Sequence, residues 1–183
     1  MPLAASEHKP SPHPSLHIRP AIQQDYGAIA SIYNEAIAQG GITMDTQLST
    51  AKRIQAIASK MTDREILLVG ELAPSASVPN PVVGWGVIKR YSDRVGYDVC
   101  CETSIYLSFS ARGKGYGPLL QSALMTQVKA YGYRHIVAKI LADNQGSIRF
   151  HQRFGFDIVG TQNKIGFINN TWHDVVIMQC LIS

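Results

Sequence analysis

Hydrophobic and polar positions along this chain switch repeatedly between a period of two and a period of 3.6, the spacings of strands and helices. Leu16 to Arg19 reads as a short strand closed by Pro20. Asp25 then stands where a helix cap belongs, and Tyr26, Ile29, Ala30, Tyr33, Ala36 and Ile37 recur at helical spacing until Gly40 and Gly41 end the run. Residues 50 to 61 predict a second amphipathic helix, and Glu65 to Leu72 a strand around Ile66, Leu67, Leu68 and Val69. The turn-rich stretch from 73 to 81 predicts a mobile hairpin loop. Val82 to Lys89 and Val99 to Ser108 follow as strands, separated by the polar segment Arg90 to Asp98.

From Arg112 the chain turns glycine-rich, and Pro118 falls in the first turn of a helix reaching about Tyr131. Its expected buried face is Leu119, Leu120, Ala123, Leu124 and Val128. Ile136 to Leu141 is a buried strand, Asn144 to Phe154 a short helix stopped by Gly155, and Phe156 to Gly160 with Asp174 to Leu181 the closing strands. This order predicts an α/β (α+β) fold, a mixed sheet with helices on both faces.

Composition narrows the class. With 183 residues and 45% hydrophobic content the chain can bury one core, so residues 17 to 183 are expected to form one domain behind a flexible tail, 1 to 16. The formal net charge is +4, with Lys and Arg scattered, so no nucleic-acid partner is expected. Three cysteines, two of them adjacent (Cys100 and Cys101), cannot supply a disulfide framework and point to a reducing compartment. The first fifteen residues lack the apolar core of a secretory signal, and no apolar run approaches the roughly 20 residues needed to span a bilayer. A cytoplasmic protein without membrane partners is expected. His8, His13 and His17 come with no Cys or carboxylate cluster, so no metal is expected.

The run Arg112-Gly113-Lys114-Gly115-Tyr116-Gly117 joins a strand to a helix and so directs backbone N–H groups and a positive helix end at an anion. A Walker loop needs Ser or Thr after Gly-Lys, and here glycine follows Lys114. A dinucleotide fingerprint needs Gly-x-Gly-x-x-Gly near the start of a βαβ unit, whereas this is Gly-x-Gly-x-Gly late in the chain. The pattern Arg-x-x-Gly-x-Gly suits a pyrophosphate, because residues without side chains let amides approach its oxygens while Arg112 and Lys114 add charge. A turn serving helix packing alone is the alternative.

This block resembles the acetyl-CoA signature of the GNAT N-acetyltransferases, and the run from Asn144 to Phe156 resembles that superfamily's Asn-x-x-Ser…Gly-Phe element. The resemblance implies the GNAT acyl-CoA N-acyltransferase fold, a mostly antiparallel mixed sheet flanked by helices. It makes acetyl-CoA the cosubstrate, held by Arg112, Gly113, Lys114, Gly115, Tyr116, Gly117, Asn144 and Ser147. Asn144 is also a natural helix cap, and both readings can hold together. Further stretches resemble the phosphinothricin and methionine sulfoximine (or sulfone) acetyltransferase branch: Ile18-Arg19-Pro20-Ala21, Ile32-Tyr33-Asn34, Tyr97-Asp98, Cys101 to Leu107, and Gly166 with Trp172-His173-Asp174. That branch acetylates small α-amino acids or their analogues on the α-amine, and its members commonly form homodimers. The resemblance places Arg94, Tyr97, Tyr33 and His173 at the substrate, with solvated loop residues the alternative for Arg94 and Tyr97. Where the branch often carries an aromatic residue and Arg after its first helix, this chain reads Ile42-Thr43-Met44-Asp45.

An α-ammonium must lose a proton before it can attack a thioester, so a carboxylate or a water relay is needed near the amine. Glu102 is the candidate. Period-2 alternation puts Glu102, Ser104 and Tyr106 on one face and Cys101, Thr103 and Ile105 on the other. A carboxylate in so apolar a strand is costly unless used or paired, for instance with an Arg. The expected oxyanion donor is the Leu107 N–H, with Ile105 and Tyr106 along the pantetheine. His151 takes the position where many GNAT enzymes place a tyrosine that protonates the CoA thiolate; a core histidine is the alternative. Cys101 as an acyl-accepting nucleophile would give a two-step route instead. Transfer to a protein or peptide amine, or acetyl-CoA sensing without transfer, are the rival functions.

Overall fold

The computed structural model describes residues 16–73 and 81–182. All of the expected tail but Leu16, which packs partly buried against Val83 and its neighbours, and all of the expected hairpin loop but its ends, lie outside the described residues. The elements run β1 (His17–Pro20), α1 (Tyr26–Gln39), α2 (Ala51–Ala58), β2 (Ile66–Glu71), β3 (Val82–Arg90), β4 (Cys100–Leu107), α3 (Tyr116–Ala130), β5 (His135–Leu141), α4 (Gln145–Gln152), β6 (Asp157–Ile168) and β7 (Thr171–Leu181). The strands form one seven-stranded sheet in the order β1-β2-β3-β4-β5-β7-β6. Every neighbouring pair is antiparallel except β4–β5. The mixed, mostly antiparallel sheet is thus as the sequence and its resemblance predicted.

Strand alternation sorts the core into two layers. Leu67, Val69, Trp85 and Val87 pack under α1 and α2 with Ile29, Ile32 and Ile54. Leu68, Ile88, Cys101, Ile136 and Ala138 point the other way, against Leu120, Leu124 and Val128 of α3 and Ile148 of α4. A Cβ at Gly86 would come within 2.6 Å of Leu124 Cδ1, so the absent side chain is what lets α3 press onto β3. Leu119 departs from its predicted place: it is exposed, and Gln121 takes the buried position.

Local chemistry explains two more differences. Thr50 caps α2 by accepting from the Arg53 amide, but Asp25 does not cap α1 with its side chain. Its carboxylate instead receives both Arg19 Nη atoms, at 2.6 and 3.0 Å, and the Ile22 amide at 2.8 Å. Arg19 also grips Glu71 at 2.6 Å, clamping β1 to β2 and to the start of α1. Burial opposes ionisation of Asp25, yet the bonds from Arg19 and Ile22 outweigh it and hold the carboxyl below its usual range. The second difference lies at the end of the chain, where β6 and β7 are far longer than predicted. Asn169 and Asn170, with φ of 50° and 60°, form a two-residue hairpin turn whose left-handed pair suits right-twisted strands. A bulge between Gln162 and Gly166, with Lys164 at φ 52°, breaks the alternation that would have revealed β6.

Candidate active site

β4 and β5 are paired only from Cys100–Glu102 to His135–Val137. Beyond Glu102 the two parallel strands part, while β4 stays laddered to β3 as far as Leu107. The Ser108 amide donates to the Val83 carbonyl at 2.9 Å, so alternation turns the Leu107 N–H the other way, into the gap. A cavity of about 850 Å³ fills this notch, lined by residues 103–107 of β4, Ala138 to Ile140 of β5, Gln39 to Ile42, the glycine turn and α4.

Gly113 and Gly115 hold φ of 74° and 80°, which residues with a Cβ rarely adopt. Gly115 is the N-cap of the 15-residue α3 and offers no side chain to its first amides. Those N–H groups therefore stay available at the positive end of the helix dipole, the arrangement that holds a phosphate. Arg112 lines the same cavity; its Nη1 donates to Gln39 Oε1 at 2.7 Å and its guanidinium covers the Phe109 ring at 4.2 Å. Asn144 borders the cavity and at the same time caps α4, its Oδ1 accepting from the Ser147 amide at 3.1 Å. Lys114 and Tyr116 are not brought to the wall. Lys114 points to solvent, and the Tyr116 ring fills a small core with Val83 and Ala111, because the first turn of α3 must anchor against β3.

His151 also lines the cavity and is buried. Its Nδ1 lies 2.8 Å from the Ser147 carbonyl, which can only accept, so Nδ1 carries the proton. Burial lowers the pKa of the ring against the opposing pull of that bond. The neutral ring then turns a lone pair at Nε2 away from the Ser147 carbonyl.

A second cavity, of about 890 Å³, opens on the α1 side of the sheet and shares Ile42, Ser104, Tyr106 and Lys139 with the first. Glu102 lies in it, with Lys139 Nζ at 2.7 Å from Oε2 and Lys89 Nζ at 3.6 Å from Oε1. Its charge partners are thus two lysines rather than an arginine. Tyr33 lines this cavity too, donating to Asp45 Oδ2 at 2.8 Å and bonded to Thr43 Oγ1 at 2.8 Å. Tyr106 stacks on Trp85 with centroids 4.7 Å apart and meets Tyr33 edge-on at 5.0 Å, so three packed rings form the cavity floor. Burial pushes the Tyr106 hydroxyl well above the usual tyrosine range, which keeps it protonated. The far wall comes from Met44 and from Ile165, Gly166 and Phe167 of β6. A Cβ at Gly166 would meet the terminal methyl and sulfur of Met44, so any side chain there has to push the Met44 thioether aside.

The other substrate positions implied by resemblance do not converge here. Arg94 and Tyr97 are exposed in the turn before β4 and line neither cavity; Tyr97 only touches the ring of Tyr91, 5.4 Å away, at the rim. His173 lines a separate cavity of about 300 Å³ beside Gly40, Gly41 and Asp45. Lys89, Lys139, Ile165 and Phe167 went unread in the sequence, whereas Met44 and Gly166 stood in stretches already singled out, the first as a departure from the branch and the second as a likeness to it. A lone charge in the apolar strand Ile136-Val137-Ala138-Lys139-Ile140-Leu141 was a signal for Lys139; for Ile165 and Phe167 there was none. Among the described residues no three His, Cys, Asp or Glu side chains gather as a metal would require. The three cysteines are free and buried.

A mixed sheet whose parallel central strands part over a glycine turn and an uncapped helix start defines a coenzyme A-dependent acyltransferase. The chain belongs to the GNAT acetyltransferase family, whose acetyltransferase (GNAT) domain model matches residues 18–177. A phosphinothricin N-acetyltransferase from Streptomyces viridochromogenes is 29% identical over 164 residues, 90% of this chain and 86% of that one. An L-methionine sulfoximine/L-methionine sulfone acetyltransferase from Pseudomonas paraeruginosa is 30% identical over 166 residues, 90% of this chain and 94% of that one. The crystal structure of a phosphinothricin acetyltransferase from Sinorhizobium meliloti in complex with acetyl-CoA matches with a TM-score of 0.82 at 28% identity, over 92% of this chain and 89% of that one. The chain is therefore an acetyl-CoA-dependent acetyltransferase whose relatives are those of the branch it resembles. No described helix is long and apolar enough to cross a membrane.

Proposed function

We propose that the protein transfers an acetyl group from acetyl-CoA to the α-amine of a small amino acid or analogue, by direct attack in a ternary complex. The observation that carries this is the placement of Glu102 in a second cavity that meets the notch at Ser104 and Tyr106. Acetyl-CoA supplies the electrophilic thioester. The free amides of α3, Gly113 and Gly115 hold its phosphates, and Asn144 with residues 105–107 of β4 holds the pantetheine arm. Glu102 takes a proton from the acceptor ammonium, directly or through a water, so that the amine nitrogen can attack. The Leu107 N–H stabilises the oxyanion that forms. A CoA thiol has a pKa near that of cysteine, about 8.5, so the thiolate leaves without a donor; His151 then shapes the cavity and steadies α4.

The two-step route through Cys101 lacks support. That thiol faces the α3 layer, opposite Glu102, and burial pushes its pKa up to about 12. Three buried free thiols fit the reducing cytoplasm.

The deciding experiment is Glu102→Gln. We expect kcat to fall about 10²- to 10⁴-fold with acetyl-CoA affinity unchanged. Unchanged turnover removes Glu102 as base. Competition among phosphinothricin, methionine sulfone, tryptophan and a peptide, followed by thiol release, tests the acceptor, and reaction of the peptide alone refutes the small-molecule reading. We further propose a homodimer. β6 exposes Ile158, Val159, Ile165 and Phe167 on an edge strand, which a second copy would cover. Sedimentation showing only monomer at tens of micromolar would refute it.

A further inference from the structure

We propose that Lys139 selects acceptors by their free carboxylate, a proposal that rests on the amino-acid reading above. Lys139 is the one charged residue within the run from Ile136 to Leu141. Alternation sets Val137, Lys139 and Leu141 toward the acceptor cavity, on the face that carries Glu102, Ser104 and Tyr106 of β4. Because β4 and β5 part just after the Glu102–Val137 pair, Lys139 stands at the fork and lines both cavities.

Its ammonium lies 2.7 Å from Glu102 Oε2 and 5.8 Å from the Tyr91 ring centroid. It therefore occupies the place that an acceptor ammonium must reach to be deprotonated by Glu102. An acceptor carrying only an amine has to displace Lys139 and leaves that lysine without its partner. A zwitterion does not: its ammonium takes Glu102 Oε2 while its carboxylate takes Lys139 Nζ, so one ion pair opens into two. Lys89 remains on the other oxygen of Glu102 and keeps the carboxylate oriented. Around these charges the wall is apolar, with Met44, Ile165, Phe167 and Val175 facing the acceptor side chain. Arg94 is exposed and lines neither cavity, so it does not compete for this role. The acceptor class is an α-amino acid with a free carboxylate and a neutral, largely apolar side chain.

The test compares L-methionine sulfone and L-tryptophan with their carboxamides, measured as kcat/KM by thiol release in wild type, Lys139→Met, Lys139→Arg and Arg94→Ala. Wild type is expected to prefer the free acid by about 30-fold, the size of a charge-assisted contact. Lys139→Met should bring the acid-to-amide ratio to within about threefold of unity, mainly through KM of the acid, whereas Lys139→Arg keeps most of the preference. Arg94→Ala should keep the wild-type ratio. Calorimetric titration of acetyl-CoA and the thermal midpoint report whether each variant is folded, and Lys139→Gln, polar but uncharged, takes the place of Lys139→Met with the same expected ratio should the latter fail to fold. An acid-to-amide ratio in Lys139→Met equal to wild type, or one lost in Arg94→Ala alone, overturns the assignment. Equal use of acid and amide by wild type overturns carboxylate selection while leaving amino-acid acetylation intact; no turnover of either overturns both.

Discussion

The two cavities that meet at Ser104 and Tyr106 are built by different means. The notch between β4 and β5 is made largely of backbone: parted strands, glycines at positive φ, and the uncapped start of α3. The cavity on the opposite side is made of side chains brought from α1, β3, β4, β5, β6 and the 42–46 loop. Backbone geometry of the first kind accepts one kind of ligand, an extended chain ending in phosphates, and tolerates drift in its neighbours. The second kind changes shape with any single substitution. One fold can thus keep its acyl donor fixed while its acceptor varies.

Substitutions confined to one cavity should therefore act on one ligand. The largest effect is expected from Gly115→Val, which sets a β-branched residue at φ 80° and strains the helix start by about 1–3 kcal/mol. Acetyl-CoA affinity should fall on the order of 100-fold, the sum of that strain and of lost amide contacts, by calorimetric titration. An affinity within twofold of wild type would deny the glycine turn its role. Next is Arg19→Ala, remote from both cavities, which strands the buried Asp25 carboxylate and should cost about 2–3 kcal/mol in denaturant unfolding with both ligands' affinities unchanged.

The same cluster sets an acid limit. Glu71 is held below its usual range by bonds from Arg19 and His17, and Asp25 is depressed as well. Both carboxylates bind protons more readily when unfolded. Their contribution is therefore complete above the ordinary carboxylate range and lost as pH falls through the lower folded-state values. Arg19→Ala should flatten that acid limb; an unaltered limb would show that the clamp does not govern it. The smallest effect is expected from Gly166→Leu, which collides with Met44 and narrows the acceptor cavity. KM for the acceptor should rise about tenfold while acetyl-CoA affinity stays within twofold, since Gly166 and Met44 do not border the notch. A matching loss of acetyl-CoA affinity would mean the cavities are coupled.

Legibility in the sequence followed the same division. Arg112, Gly113, Gly115 and Gly117 are adjacent, and adjacency with the right spacing was enough to identify a phosphate turn and reject two others. Asn144 was readable as a helix cap and, by resemblance, as an acetyl-CoA contact; the structure shows the cap and sets the residue on the wall of the notch. Lys114 and Tyr116 belonged to the same block but do not reach the cavity, because spacing along a turn does not say which side chain anchors the helix. Arg94, Tyr97 and His173 were placed near the substrate by likeness to relatives, and each lies outside the acceptor cavity. Leu119 and Gln121 exchanged roles because they flank the buried Leu120–Leu124–Val128 stripe on either side, and periodicity within α3 does not say which flank the sheet covers.

What the sequence determined alone was whatever local chemistry decides: the order of the elements, the glycine turn, the cap at Asn144, and the alternation that sets Glu102 apart from Cys101. Only the tertiary structure decided the acceptor cavity. It showed that Glu102 faces Lys139 and Lys89, that Met44 seats on Gly166, and that β6 walls the chamber. The physical reason is register. Met44 and Gly166, 122 positions apart, meet because strand pairing and one bulge bring β6 to the 42–46 loop, and no periodicity within a segment encodes its alignment with another.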